Sequence, residues 1–306
     1  MPFRSKYVQL GLIAALQVLG MAMWFSASAV VPTLREVWGI GDLQAVWLTA
    51  SVQLGFVIGA VTSALLNLPD RFPPQHVAAL SAFAAALTTA AVPVLDGGFT
   101  ATVALRCATG VFLAGIYPVG MKLMASWFGS SGRGLALGVL VGALTLGSAV
   151  PQLLLGSGRL PWQGVLLASS LAGLLAALVA ALAVRQGPHV GGRVRPRPRY
   201  VIDMLRQRGP RLANLGYFGH MWELYALWTW LPSYLLAARD GSDAAAVGLL
   251  SFVVIGVAGV VGCLLGGWGS DRFGRSSAAV VALVVSGMGL DLAPDGDLGA
   301  LVVVGN

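Results

Sequence analysis

The sequence predicts an all-α polytopic membrane protein made of two helical bundles. Three observations lead there: long apolar runs recur along the chain, the basic residues sort into alternate loops, and the second half repeats the first. Of the 306 residues 57% are hydrophobic and 10% are charged, too little polar surface to cover a soluble globule. Runs of roughly 18 or more apolar residues can each cross a hydrocarbon layer about 30 Å thick as a helix. Helix is the required form, because lipid offers no partners to backbone N–H and C=O groups. The period-two alternation of a membrane barrel is absent from the sequence.

Apolar runs place spans 1 to 9 at residues 8–32, 43–68, 76–95, 100–121, 134–155, 164–184, 212–237, 244–268 and 277–293, and a tenth run starts near Gly299. With the N-terminus in the cytoplasm, the 19 Lys and Arg residues sort almost completely to the inner loops. The exceptions are Arg35, Arg159 and Arg239 outside and Arg106 within span 4. A missed or invented span would invert this sorting from that point onward, so the charge rule supports the list independently. The same sorting explains the net charge of +7 as loop charge facing the inner leaflet, and nucleic acid is not expected as a partner. Cys107 and Cys263 both lie in apolar runs, which suggests neither a disulfide framework nor a metal cluster.

Residues 1–184 are expected to form a six-helix N-terminal bundle, 185–211 a cytoplasmic linker, and 212–306 an incomplete C-terminal bundle. The linker carries Arg193, Arg195, Arg197 and Arg199 between prolines, a composition that extends and stays solvated. Shifting the chain by about 200 residues exposes the repeat. Pro32 meets Pro232, Asp42 meets Asp243, Asp70-Arg71-Phe72 meets Asp271-Arg272-Phe273, and Pro93 with Asp96 meets Pro294 with Asp297. Six spans separate the copies, so both enter from the same side, as in a parallel repeat about an axis along the membrane normal. By that comparison the second half is about 80 residues short, and a C-terminally truncated chain is expected.

The loop after span 8, with Gly267, Asp271, Arg272, Gly274 and Arg275, resembles the Gly-x-x-x-Asp-Arg-x-Gly-Arg motif of the major facilitator superfamily, which recurs between helices 2 and 3 and between 8 and 9. In that family the loop latches two cytoplasmic helix ends together in the outward-open state. The first-half copy keeps only Asp70 and Arg71, with Leu66 and Pro73 where glycines are expected. Arg106 and Gly110 resemble the family's Arg-x-x-x-Gly signature in helix 4. Span 5 has Gly138, Gly142, Gly147 and Pro151 but no Gly-Pro pair of the kind found in drug exporters. Span 7, from Gly216 to Pro232, resembles bacterial carriers of the nitrate and cyanate branch. Spans 2 and 8 contain no arginine, so nitrate itself is not expected.

The resemblance implies a major-facilitator-type two-bundle fold with about 9–10 of 12 transmembrane helices present. It implies a secondary carrier that moves a small polar or anionic solute by alternating access, coupled to protons, symporter or antiporter. Such a carrier would act as a monomer in the bacterial inner membrane, without a cofactor and without enzymatic chemistry. Gln17, Trp24, Gln53, Arg106, Tyr117, Gln152, Tyr217 and Tyr225 are the candidates for the solute site. Arg106 would either hold the solute's negative group or form a structural ion pair, since an arginine in an apolar span needs a polar cavity or a partner. Glu223 and His220, at i and i+3 on one helix face, are the candidates for carrying the proton. The competing readings are a non-transporting sensor, an inactive remnant of a carrier and, below these, a drug exporter.

Overall fold

A computed structural model describes residues 5–95, 97–129, 132–157, 160–189, 206–238 and 244–291. The tenth apolar run, the Pro294 and Asp297 part of the repeat and Arg193, Arg195, Arg197 and Arg199 of the linker lie outside these residues. Within them every span expected from the sequence is helical, with bounds moved by a few residues.

Span 1 comprises α1 (Lys6–Met21), α2 (Ser26–Ala29) and α3 (Val31–Trp38), and span 2 is α4 (Asp42–Leu66) followed by the single turn α5 (Leu68–Arg71). Span 3 is α6 (Pro74–Leu95), span 4 is α7 (Gly98–Leu113) with α8 (Tyr117–Trp127), span 5 is α9 (Arg133–Gly156) and span 6 is α10 (Trp162–Leu182). Span 7 is α11 (Arg208–Ala238). Span 8 joins α12 (Ala244–Ser251), a π-helical stretch (Phe252–Ala258) and α13 (Gly259–Phe273), and span 9 is α14 (Arg275–Asp291). Six helical segments are long and apolar enough to cross a membrane: spans 2 to 6 and span 8. Rows of large apolar side chains remain exposed, such as Leu54, Val57, Ile58 and Val61 on α4 and Leu171 and Leu178 on α10. On a helical bundle these are the faces for lipid.

Two spans depart from a straight helix, and each break is held by a polar side chain from the other. Span 1 opens between Met21 and Ser26. There Arg106 of α7, with no exposed surface, donates through Nη1 to Met23 O at 3.0 Å and to Ser26 Oγ at 3.2 Å, and through Nη2 to Trp24 O. Span 4 opens between Leu113 and Tyr117, ahead of Pro118. Buried Gln17 of α1 donates there through Nε2 to Ile116 O at 3.3 Å. A carbonyl freed by a helix break away from water must find a donor within the protein: Arg106 supplies it at Trp24 O and shares Met23 O with the Ser26 hydroxyl, and Gln17 joins the Gly120 N–H on Ile116 O. The sequence had left Arg106 between a solute site and an ion pair; its guanidinium instead meets backbone oxygens and one hydroxyl.

Small residues set the helix contacts. α4 lies along α7 where Gly55 and Gly59 face the carbonyls of Cys107 and Val111, and Gly110 faces Val52. α13 lies along α9 at backbone distance: a Cβ on Gly138 would sit 2.5 Å from the Cys263 carbonyl oxygen, and one on Gly267 would sit 2.7 Å from the Gly134 carbonyl oxygen. Such approach is the usual means of helix association in lipid, where apolar burial adds little driving force. α6 packs along α10, and α1 lies against α9 and α10.

Two outcomes follow. Gly267→Ala is expected to lower the thermal unfolding temperature of the detergent-solubilised protein by several degrees, whereas Gly262→Ala on the same helix, with nothing near its Cβ position, leaves it unchanged. Arg106→Ala leaves the buried Trp24 carbonyl without its donor, at about 1–3 kcal/mol, while Met23 O keeps the Ser26 hydroxyl. It should reduce the yield of folded protein on size-exclusion chromatography, and Arg106→Lys, a single point donor instead of a fork, should restore it only partly.

Candidate functional site

The described helices enclose a cavity of about 810 Å³ between spans 1, 2 and 7. Its wall is formed by Ser28, Pro32 and Arg35 from span 1, Thr49 and Gln53 from α4, and Trp222, Tyr225, Thr229 and Trp230 from α11, among others. Those of span 1 come from its outer end, and those of spans 2 and 7 from the middle and outer parts. Pro32 enters the first turn of α3, where a proline loses no helix hydrogen bond, and the Ser28 and Thr49 hydroxyls bond each other at 3.0 Å across spans 1 and 2. Arg35 pairs with Asp42 at 2.8 Å at the mouth.

An aromatic layer lies beside this wall. Trp24 meets Phe56 at 4.7 Å and Tyr225 at 5.9 Å between ring centroids, and Phe25 meets Trp228 edge-on at 5.5 Å. The span 1 break presents Trp24 and Phe25 on adjacent positions, so the layer depends on the Arg106 contacts. A second, smaller cavity of about 50 Å³ shares Ser28, Pro32 and Thr229 with the first and reaches Gln152 and Gly248.

The expected solute-site residues are thus distributed over several places. Gln53 and Tyr225 line the main cavity, Gln152 lines the smaller one, and Trp24 belongs to the aromatic layer. Arg106 and Gln17 bind the helix breaks. Tyr117 is half-buried at the start of α8, packed against the core. Tyr217, His220 and Glu223 lie on an exposed face of α11, off the cavity wall. Ser28, Arg35, Thr49, Thr229, Trp222 and Trp230 were not anticipated as lining. The available signal was that Ser28, Arg35, Thr49, Thr229 and Trp230 cluster in the outer parts of their spans, with Trp222 near the middle of span 7.

At the opposite end the loop motif of span 8 meets the start of α9. The Asp271 carboxylate accepts from Gly134 N at 2.9 Å and from Leu135 N at 2.8 Å, capping the first turn of α9, where free N–H groups and the helix dipole favour an anion. Gly267 lets the two backbones meet. Gly274 turns the chain at φ 90°, ψ 154°, a conformation open to glycine alone. Arg272 and Arg275 are exposed at the same end. In the first half Asp70 pairs with Lys122 of α8, whose Nζ also donates to Pro69 O at 2.7 Å. That contact stays within the first six spans, and Arg71 is exposed.

Comparison with known proteins adds the lineage. The sequence profile of the Major Facilitator Superfamily matches residues 13–303. The probable sulfoacetate transporter SauU of Cupriavidus necator is 25% identical over 294 residues, covering 88% of this chain and 66% of that protein. The probable L-galactonate transporter of Escherichia coli K12 is 25% identical over 267 residues, covering 81% of this chain and 58% of that one. The chain therefore spans less than two thirds of the length of either relative. In three dimensions it is similar to the crystal structure of a bacterial homolog to the human lysosomal transporter Spinster, in its inward-facing and unoccupied conformation, with a TM-score of 0.67 and 18% identity over 89% of this chain and 64% of that one. The D-xylose-proton symporter gives 0.58 at 15% identity over 88% and 70%. These two likenesses concern the fold. With the family profile running through nearly all of the chain, over apolar helices that cross a bilayer, this is an integral membrane protein that belongs to the Major Facilitator Superfamily.

Proposed function

We propose that the chain belongs to a secondary carrier of a small organic anion that works by alternating access. The observation that carries this reading is the opposition of two features on one molecule. A cavity of about 810 Å³ is built from the outer end of span 1 and the middle and outer parts of spans 2 and 7, and at the far end Asp271 ties span 8 to the start of span 5. A site exposed at one end while the other is held shut is what alternation between two faces requires. The basic residues at the latched end, among them Lys122, Arg133, Arg272 and Arg275, support its assignment to the cytoplasm, with the N-terminus on the same side. Sulfoacetate and L-galactonate, named for the two relatives, are both organic anions, and they supply the solute class.

The coupling ion in this reading is the proton, carried by Glu223 with His220 one turn away on α11. Supporting this, Glu223 follows directly on Trp222 and lies two residues before Tyr225, both on the cavity wall, so protonation there sits beside the element that must move.

Reconstituted into proteoliposomes, the intact protein should show saturable uptake of sulfoacetate or L-galactonate, driven by an inward proton gradient. Absence of uptake across a panel of organic anions would discard the reading. Glu223→Gln should still exchange solute down its gradient but lose accumulation against it, and normal gradient-driven accumulation would move the coupling role elsewhere. Asp271→Ala removes a cap worth about 1 kcal/mol and should favour opening at the latched end by about fivefold. In a Cys107→Ser background, this appears as faster modification of Cys263, on the α13 face against α9, by an impermeant maleimide applied from that side.

A further inference from the structure

The cavity wall has one charged side chain among the described residues, Arg35, and its other polar groups are neutral: Ser28, Thr49, Gln53 and Thr229. Its guanidinium Nη2 is 2.8 Å from Asp42 Oδ1, with 39% of the arginine side chain and 90% of the aspartate side chain exposed. An ion pair this open is worth only about 0–1 kcal/mol, so the guanidinium is exchangeable. Its planar fork suits a carboxylate or a sulfonate, and the flanking apolar walls, including Trp222 and Trp230, strengthen attraction for an anion entering the cleft. Arg106 is buried and directed at Met23, Trp24 and Ser26. Among the described residues Arg35 is therefore the cation on the cavity wall.

We propose that Arg35 is the anion-recognition residue at the mouth of the cavity, and that Asp42 occupies it when solute is absent and is displaced by the solute's carboxylate or sulfonate. Asp42 is thus an internal competitor that keeps the guanidinium oriented toward the opening. The inference deepens the carrier reading and rests on it.

The test is the kinetics of sulfoacetate and L-galactonate uptake by the intact protein in proteoliposomes, with Arg35→Gln, Arg35→Lys and Asp42→Asn beside the unaltered chain. Arg35→Gln should raise KM at least about tenfold with kcat little changed, and Arg35→Lys should fall between. Asp42→Asn should lower KM about threefold, because the competitor is gone. The KM of the unaltered protein should rise with ionic strength, and that of Arg35→Gln should not. If the pair only fastens α3 to α4, both Arg35→Gln and Asp42→Asn lose activity together, and the proposal is overturned. Uptake by the unaltered protein with KM unmoved in Arg35→Gln overturns the proposal alone; no uptake of either anion by the unaltered protein overturns the carrier reading and this proposal with it.

Discussion

A backbone that leaves the helix inside a bilayer must find its hydrogen bonds within the protein, and the architecture around the cavity depends on how this chain meets that demand. Span 1 must break for α3 to lean out as part of the cavity wall and for Trp24 and Phe25 to stand side by side. The break exposes carbonyls that no water reaches, and Arg106 holds two of them together with the Ser26 hydroxyl. Gln17 adds a second donor to Ile116 O beside the backbone N–H of Gly120. Each of spans 1 and 4 thus sends a polar side chain into the bend of the other. The aromatic layer, the Ser28–Thr49 contact and the position of Arg35 all stand on that exchange.

Between the fifth span and the eighth a different kind of contact prevails. α9 and α13 meet through glycine backbone, with few long side chains between them, so contact is intimate yet carries no locked interdigitation. The Asp271 cap adds two charge-assisted hydrogen bonds at an exposed helix end. Their strength is about that of a helix cap, roughly 1 kcal/mol. A contact of that size biases an equilibrium between two arrangements without freezing it, which is what a reversible latch needs. The glycine at 274 makes the turn after α13, placing Arg275 in the next helix and leaving Asp271 free to face α9.

How much of this was legible in the sequence varied with the range of the interaction. The spans were legible because apolar length is a local property, and the charge sorting checked them loop by loop. The motif after span 8 was legible because Gly267, Asp271 and Gly274 are close in sequence; its contact with α9 is what the structure adds. The breaks in spans 1 and 4 were not, because their residues are apolar or small and the groups that satisfy them lie far along the chain: Met23 and Arg106 are 83 residues apart. An arginine within an apolar run announces a polar partner, but the sequence does not say whether that partner is a solute, an acid or a bent backbone. The helix 7 candidates show a related limit. Tyr217, His220 and Glu223 do share a face, yet in a bundle surrounded by lipid both the inner and outer faces are apolar, so periodicity does not reveal which face borders the cavity. It is the neighbouring face, with Trp222, Tyr225, Ala226 and Thr229, that does.

The π-helical stretch in span 8 links the seam to the latch. Gly248 and Gly267 both press against α9, beside Gly156 and Gly134 respectively. In a straight α-helix a separation of 19 residues would leave the second glycine about 100° out of line with the first. Each π residue turns the chain through less than an α residue does, and the stretch Phe252–Ala258 removes that excess rotation between the two glycines. Both ends of span 8 can then face α9 at once, and Asp271 arrives over the first turn of that helix. A π stretch is rare inside an α-helix, and here its effect is that one continuous span meets α9 at Gly248 near one end and at Gly267 and Asp271 near the other.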